Sequence, residues 1–448
     1  MNAPKNNSLK MALVPLGRSH YNGEIKTEKE GDENYFQRGK IPQRSEKSMA
    51  EQIQTFCRRR FRTREDVDTL AVLGLTVSVF LSVFTAAAAC AVIAVATMMN
   101  YERRRRALSS PYARLLLGFL LVPFFVSAMY YNVLGLLASF ALYAVVLCGL
   151  YVRSVMTRRL FARALDLCCQ CSVGCFAVAL VQKLAALPVS PEYRPVSTFF
   201  NANYYGAMVE LMLLVCLYRA MTNRPARKWY FAAAVVNLGG LYLTGSMSSA
   251  AAASAGILVF LTLQHRRRLA VLFCIGAAAA LVLVACFPVL FPRVESVDVA
   301  WDQRFAIWET AFKAIREHPL LGQGAVAYHM AAVRYGGYLT YHSHNLLIDT
   351  VLNFGLAGLA VFGFYAWQQA RLLRLRFCNR IGRASNVLMV SALCAVLVHG
   401  VTDVTVFWPQ TGMFLLLLLS PLSVGAEFLE REIEPRPFAV PAGSRLHF

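Results

Sequence analysis

His342 and His344 stand two residues apart where a polar loop gives way to a long apolar run, in YHSHNLLIDTVLNFGLAGLAVFGFYAW, residues 341–367. The run is long enough to cross a bilayer as a helix, which takes about 20 mostly apolar residues. An imidazole at the water end of such a helix titrates near neutral pH. It is placed to meet a lipid headgroup and a water-soluble partner together. A histidine at that depth is equally an amphipathic residue in a suitable place, with no chemistry attached. In an extended approach the two rings point the same way. Asp349, about one turn into the helix, either orients an imidazole or is an intramembrane acid paired with another polar group.

A second set of reactive groups precedes these. Asp298 to His318 reads as a helix in which Trp301, Phe305, Trp308, Phe312 and Ile315 recur at steps of four and three, giving one apolar face. Pro319 and the glycines of PLLGQG end it. Two tryptophans on that face suit a helix lying in the membrane–water interface. Arg304 flanks the face, so its guanidinium sits at the depth of lipid phosphates. Arg binds phosphate through a two-pronged fork that Lys lacks; an Arg there also anchors a helix simply by snorkelling. His318 reads as a cap on the helix. Tyr328, Tyr335, Tyr338 and Tyr341, with Arg334 among them, either stack on sugar rings or form an interfacial aromatic belt.

The elements that must position these groups follow from composition. The chain has 448 residues, 57% hydrophobic and 16% charged, where soluble domains carry nearer a quarter charged. Its apolar residues come in long uninterrupted runs, not in the short alternating segments of a transmembrane barrel. The fold class is therefore all-α polytopic membrane protein. The net charge of +20 does not imply nucleic acid, because the basic residues sit in short loops between apolar runs and encode topology. Residues 1–67 read as a disordered cytoplasmic tail. Residues 68–290 hold transmembrane helices one to nine, and 291–343 one large external loop with the interfacial helix. Residues 344–428 hold helices ten to twelve, and 429–448 a cytoplasmic tail. The run 69–99 has basic residues at both ends and reads as two short helices turning near Ser82–Thr85; Asn132 is the turn of the next hairpin. About twelve spans place every Arg-rich loop on the cytoplasmic side. Of the 12 cysteines, most lie in apolar runs as small hydrophobes. The cluster Cys168, Cys169, Cys171 and Cys175 lacks other ligands and is not read as a metal site, and no disulfide framework shows.

Four stretches resemble the O-antigen ligase and polymerase superfamily of bacterial membrane glycosyltransferases. RPVSTFFNANYYG, residues 194–206, is similar to the family's loop of Arg, a Thr-Phe step and a closing Asn, with Arg194 and Asn203 in the matching places. RFAIWETAFKAIREHPLLGQG, 304–324, is similar to its Arg, Trp, His-Pro and Gly-x-Gly pattern. His344-Asn345, then nine residues, then Gly355 and Gly358 resembles the ligase signature and is the most specific of the four. TDVTVFWPQTGMFLLLLL near the end is a weaker match. One position departs: the outer turn TGSMSSA has Met247 where the family carries an Arg that helps hold lipid pyrophosphate. Arg194, Arg304 and Arg334 are the candidates to cover that charge.

The resemblance implies a GT-C-like arrangement and transfer of a glycan from a polyprenyl-pyrophosphate carrier to a glycan, lipid or protein hydroxyl. The place is the outer face of the cytoplasmic membrane. A diphosphate leaves as a stable anion and needs charge stabilisation more than a proton; the acceptor hydroxyl needs a base. The expected roles are His344 as general base and Arg304 as pyrophosphate stabiliser. Arg194, Asn203, Arg334, Asn345, His342 and Tyr341 are expected on the substrate. Gly355 and Gly358 are expected to permit close helix packing. The two histidines have no convergent carboxylate in their own loop, so metal-independent catalysis without a cofactor is expected; no carboxylate is placed as a covalent nucleophile, so the attack is expected to invert the anomeric carbon. A polymerase of lipid-linked repeat units differs only in the acceptor. A lipid-linked glycan transporter would need charged spans and symmetric halves, and a non-catalytic assembly partner is kept open by Met247.

Overall fold

A computed structural model describes residues 64–291 and 297–434. The stretches read as tails therefore lie mostly outside the described residues. The first helix nonetheless begins within one of them, and the second starts as a helix with Leu429 and Ile433 buried. Among the described residues every regular element is helical. In chain order they are α1 (Arg64–Leu81), α2 (Val83–Met99), α3 (Tyr101–Ala107), α4 (Ala113–Phe119), α5 (Val122–Met129), α6 (Val133–Val155), α7 (Arg158–Ala186) and α8 (Ala202–Thr222). There follow α9 (Arg227–Thr244), α10 (Met247–Leu263), α11 (Arg267–Cys286), α12 (Val297–Glu317), α13 (Ala327–Tyr335), α14 (Leu346–Cys378), α15 (Arg383–Gly400), α16 (Pro409–Leu419) and α17 (Glu427–Ile433). By length and composition six of these helices are apolar enough to cross a membrane, or up to seven if the bent pair α2–α3 counts as one span. Shorter apolar helices, among them α4–α5, α10 and α16, accompany them. The protein is a polytopic helical membrane protein.

The chain reverses at Ser82. Its side chain and that of Thr85 cap α2 reciprocally, and the Thr85 hydroxyl also donates to the Ser78 carbonyl at 2.9 Å. The start of α1 meets α3, with Asp68 3.2 Å from Arg106. Asn132 caps α6 after the next reversal. α8 is the central helix, packed against α7, α9, α10, α15 and α16. It is largely buried, so the residues at its N-terminus, Asn203 and Tyr204, hold fixed positions at one end of the bundle. Cys168, Cys169 and Cys175 are buried free thiols in α7.

α14 is broken. Gly355 has φ 65° and ψ −173°, and the segment 319–324 is spliced into the gap. The amides of Leu356 and Ala357 donate to the carbonyls of Pro319 and Leu320 at 2.8 and 3.0 Å. Those of Gln323 and Gly324 donate to Leu352 and Asn353 at 3.2 and 3.0 Å. A Cβ at Gly355 would collide with the Leu320 carbonyl. The sequence-based expectation of close packing between helices is thus corrected: Gly355 lets PLLGQG dock backbone to backbone, which satisfies the groups that a broken helix leaves unpaired.

Candidate active site

The loop before α14 is fixed before it carries any chemistry. Asn345 caps the helix, its carbonyl oxygen accepting from the Leu347 and Ile348 amides at 3.0 and 3.1 Å. Its amide nitrogen donates to the Val401 carbonyl at 3.0 Å. Asp349 accepts from the Ser343 amide at 2.8 Å and from Asn353 at 2.7 Å. Of the two expectations for Asp349, the polar pairing is the one observed: it clamps the backbone between the two histidines. His344 takes φ 52°, the left-handed region that a residue with a Cβ enters at a cost.

The two rings lie 4.4 Å apart and face one carboxylate. Asp403 Oδ1 is 3.2 Å from His344 Nδ1 and 3.7 Å from His342 Nδ1. The expectation that no carboxylate meets the histidines was drawn from their own loop, and the structure corrects it. Asp403 comes from the TDVTVFWPQ segment after α15, which tertiary folding alone brings here. The three donor atoms lie within 4.8 Å of one another, close enough to hold a metal ion.

Behind Asp403 runs a chain of polar contacts. Asn203 donates to Asp403 Oδ2 at 2.7 Å, and Arg194 donates to Asn203 at 2.7 Å and to the Thr244 carbonyl at 2.6 Å. The last bond sets the Arg194 guanidinium beside the turn before Met247. Thr402 ties that turn in through Ser248 at 2.6 Å. Burial opposes charge on Asp403, but the His344 contact and the charges of His342, His344 and His399 hold its carboxyl well below the usual range. Burial lowers the pKa of His342 and the nearby His344 adds to this, against Asp403 and Asp349. Its Nε2 lies 3.2 Å from the Tyr204 hydroxyl, and Tyr204 stacks on Trp408 with centroids 4.9 Å apart.

α12 braces both loops. Arg304 donates to the Thr402 carbonyl at 3.1 Å, next to Asp403, and its guanidinium lies 5.6 Å from the Trp301 ring centre. Trp308 donates to the Ser343 carbonyl at 3.0 Å. Arg194, Asn203, Arg304, His342, His344 and Asn345 are therefore brought together. Arg334 is instead engaged by Glu317 at 2.9 Å, and Tyr341 stacks on His329 with centroids 5.7 Å apart. His318 meets the Tyr130 hydroxyl at 2.9 Å. Asp403, Tyr204 and Thr402 carry no signal in the sequence that singles them out; TDVTVFWPQ has a weak family resemblance, but nothing local marks its acid as a partner of the histidines.

Residues 206–363 match the O-antigen ligase family. The chain is also similar to the O-antigen ligase of Pseudomonas aeruginosa, 26% identical over 234 residues, which is 52% of this chain and 54% of that protein. The matched stretch thus spans about half the length of that relative. The family match includes α12, the splice and the His344 loop, whereas Arg194, Asn203 and Asp403 lie outside it. Together the two similarities point to the O-antigen ligase and polymerase superfamily.

Proposed function

We propose that this protein is an O-antigen ligase-like, inverting glycosyltransferase. It moves a glycan from a polyprenyl-pyrophosphate carrier to an acceptor hydroxyl on the outer face of the cytoplasmic membrane. The observation that carries the reading is the 3.2 Å approach of His344 Nδ1 to Asp403. A carboxylate there favours the Nδ1–H tautomer and leaves the Nε2 lone pair for the acceptor proton. The acceptor oxygen attacks the anomeric carbon as its proton passes to Nε2. The bond to the carrier breaks, and its electron pair leaves on the pyrophosphate. Arg304 and Arg194 supply the positive charge that receives it. Asp403 is already engaged by Asn203, the Val404 amide and the imidazoles, so the displacement is single and inverts the anomeric carbon. His344, Asp403 and the two arginines do this work without a metal, and the purified protein is expected to keep its activity in a chelator.

The family description and the relative's name favour a ligase over a polymerase. His344→Ala in cells tests the reading. An enzyme loses its glycosylated product while lipid-linked donor accumulates. Normal product with the variant would remove His344 from catalysis and leave an assembly partner or a transporter.

A further inference from the structure

α12 has two apolar faces, and the fold buries one of them. Ile307, Ala311 and Ala314 pack against α13 and α14. This corrects the expected single face. Trp301, Phe305 and Phe312 stand outside that contact, 36%, 57% and 48% exposed. The rings of Trp301, Phe305 and Trp308 are joined, with Trp301 and Phe305 centroids 5.9 Å apart and Phe305 and Trp308 5.4 Å, and Phe312 follows on the same side of the helix at the next step of four. The exposed Glu309–Lys313 pair, 2.8 Å apart, occupies the remaining side of the helix. A joined aromatic surface beside a charged one marks an interaction face.

Its neighbours set its level. Trp308 is bonded to Ser343, and the spanning helix α14 starts at Leu346. Leu347 in the first turn of α14 and Val401 just past α15 are exposed apolar residues at the same end of the bundle. The ridge therefore lies at the end of the bundle where α14 begins, the end that also carries the exposed apolar Leu347 and Val401.

We propose that the Trp301–Phe305–Phe312 ridge is seated among the acyl chains of the leaflet nearest His344, and that this seating holds Arg304 at headgroup depth. The partner is the lipid surface itself. Arg304 lies over the Trp301 ring and is bonded beside Asp403, so the depth of the ridge and the position of the histidine–carboxylate group are linked through one side chain. The seating does not rest on the reaction proposed above.

The full-length protein is reconstituted in phosphatidylethanolamine–phosphatidylglycerol vesicles whose acyl chains are brominated, and its tryptophan emission is compared with that of Trp301→Phe. The difference isolates Trp301. Phe305→Trp, which keeps an aromatic ring in place, reports the same ridge independently. The expected result is that brominated chains quench both ridge signals at least twofold, while aqueous iodide leaves them nearly unchanged. Quenching by iodide and not by brominated chains would overturn the proposal by placing the ridge in water. Protection from both quenchers would overturn it as well, and a dimer on sizing would then identify a second copy as the cover.

Discussion

Asp403→Asn separates the charge of the site from its shape. The carboxylate is 2% exposed, and its Oδ1 lies 3.2 Å from His344 Nδ1. A unit charge pair at that distance is worth about 5 kcal/mol at an effective dielectric of roughly 20. With the proton partly transferred in the transition state, about half of this is realised, a loss of roughly 10²-fold in rate. A second cost follows from the partners. Asn203 and the Val404 amide both donate to Asp403, and an amide side chain has only one oxygen. In either orientation its NH2 group faces a donor, at a cost of about 1–3 kcal/mol. The assay is the ratio of lipid-linked donor to glycosylated product in cells, with protein level in the membrane as control. Asp403→Asn is expected to approach His344→Ala, with Asn203→Ala falling between. Adding Asn203→Ala to Asp403→Asn should then cost little, because the amide clash is relieved. Activity within about threefold of the native protein in Asp403→Asn, with His344→Ala inactive, would refute the carboxylate's role.

The splice at Gly355 makes Gly355→Ala severe. A left-handed backbone and a blocked Cβ cost roughly 1–3 kcal/mol for the conformation alone, read as loss of folded protein on sizing in detergent, while Gly363→Ala, with open space around it, is neutral. Glu210 and His399, 0–1% exposed and 2.7 Å apart, form a pair buried between α8 and α15. Removing one partner, as in Glu210→Ala, should destabilise by about 3–5 kcal/mol and lower the thermal midpoint more than Glu210→Gln. The lowered pKa of His342 means the unfolded chain takes up a proton that the native site resists. Stability should therefore fall as pH drops below about 6.5. His342→Gln should flatten that slope in thermal scans, whereas the loss from protonating Asp403 begins only in much stronger acid.

The all-helical, apolar architecture was legible because hydrophobicity is a local property, and the reversal at Ser82 showed in the basic residues that flank its apolar run on both sides. Arg194 and Asn203 were legible through the resemblance, and the structure brings them behind the histidines. Asp403 was not, because its partners lie in other segments and an acid in TDVT carries no local signature. Gly355 was misread because a spliced break inside an apolar run leaves the hydrophobic pattern of a continuous helix. On α12 the apolar positions were counted correctly, but Ala311 and Ala314 form the packed side, and small residues weigh little beside Trp and Phe in a periodicity.

The splice also explains why so much of the chain is needed to hold two imidazoles. His344 occupies a strained backbone conformation that survives only if its surroundings over-determine it. Four ties do so: Asp349 to the Ser343 amide, Trp308 to the Ser343 carbonyl, Asn345 to the Val401 carbonyl and Asn345 to the first turn of α14. One of them depends on a neighbour that the splice fixes. Asp349 is held by Asn353, whose side-chain oxygen accepts from the Ala327 amide at 2.9 Å and whose carbonyl accepts from Gly324. A change in PLLGQG would therefore loosen the turn between the histidines without touching either ring. Its effect should appear in the rate of transfer before it appears in the amount of folded protein.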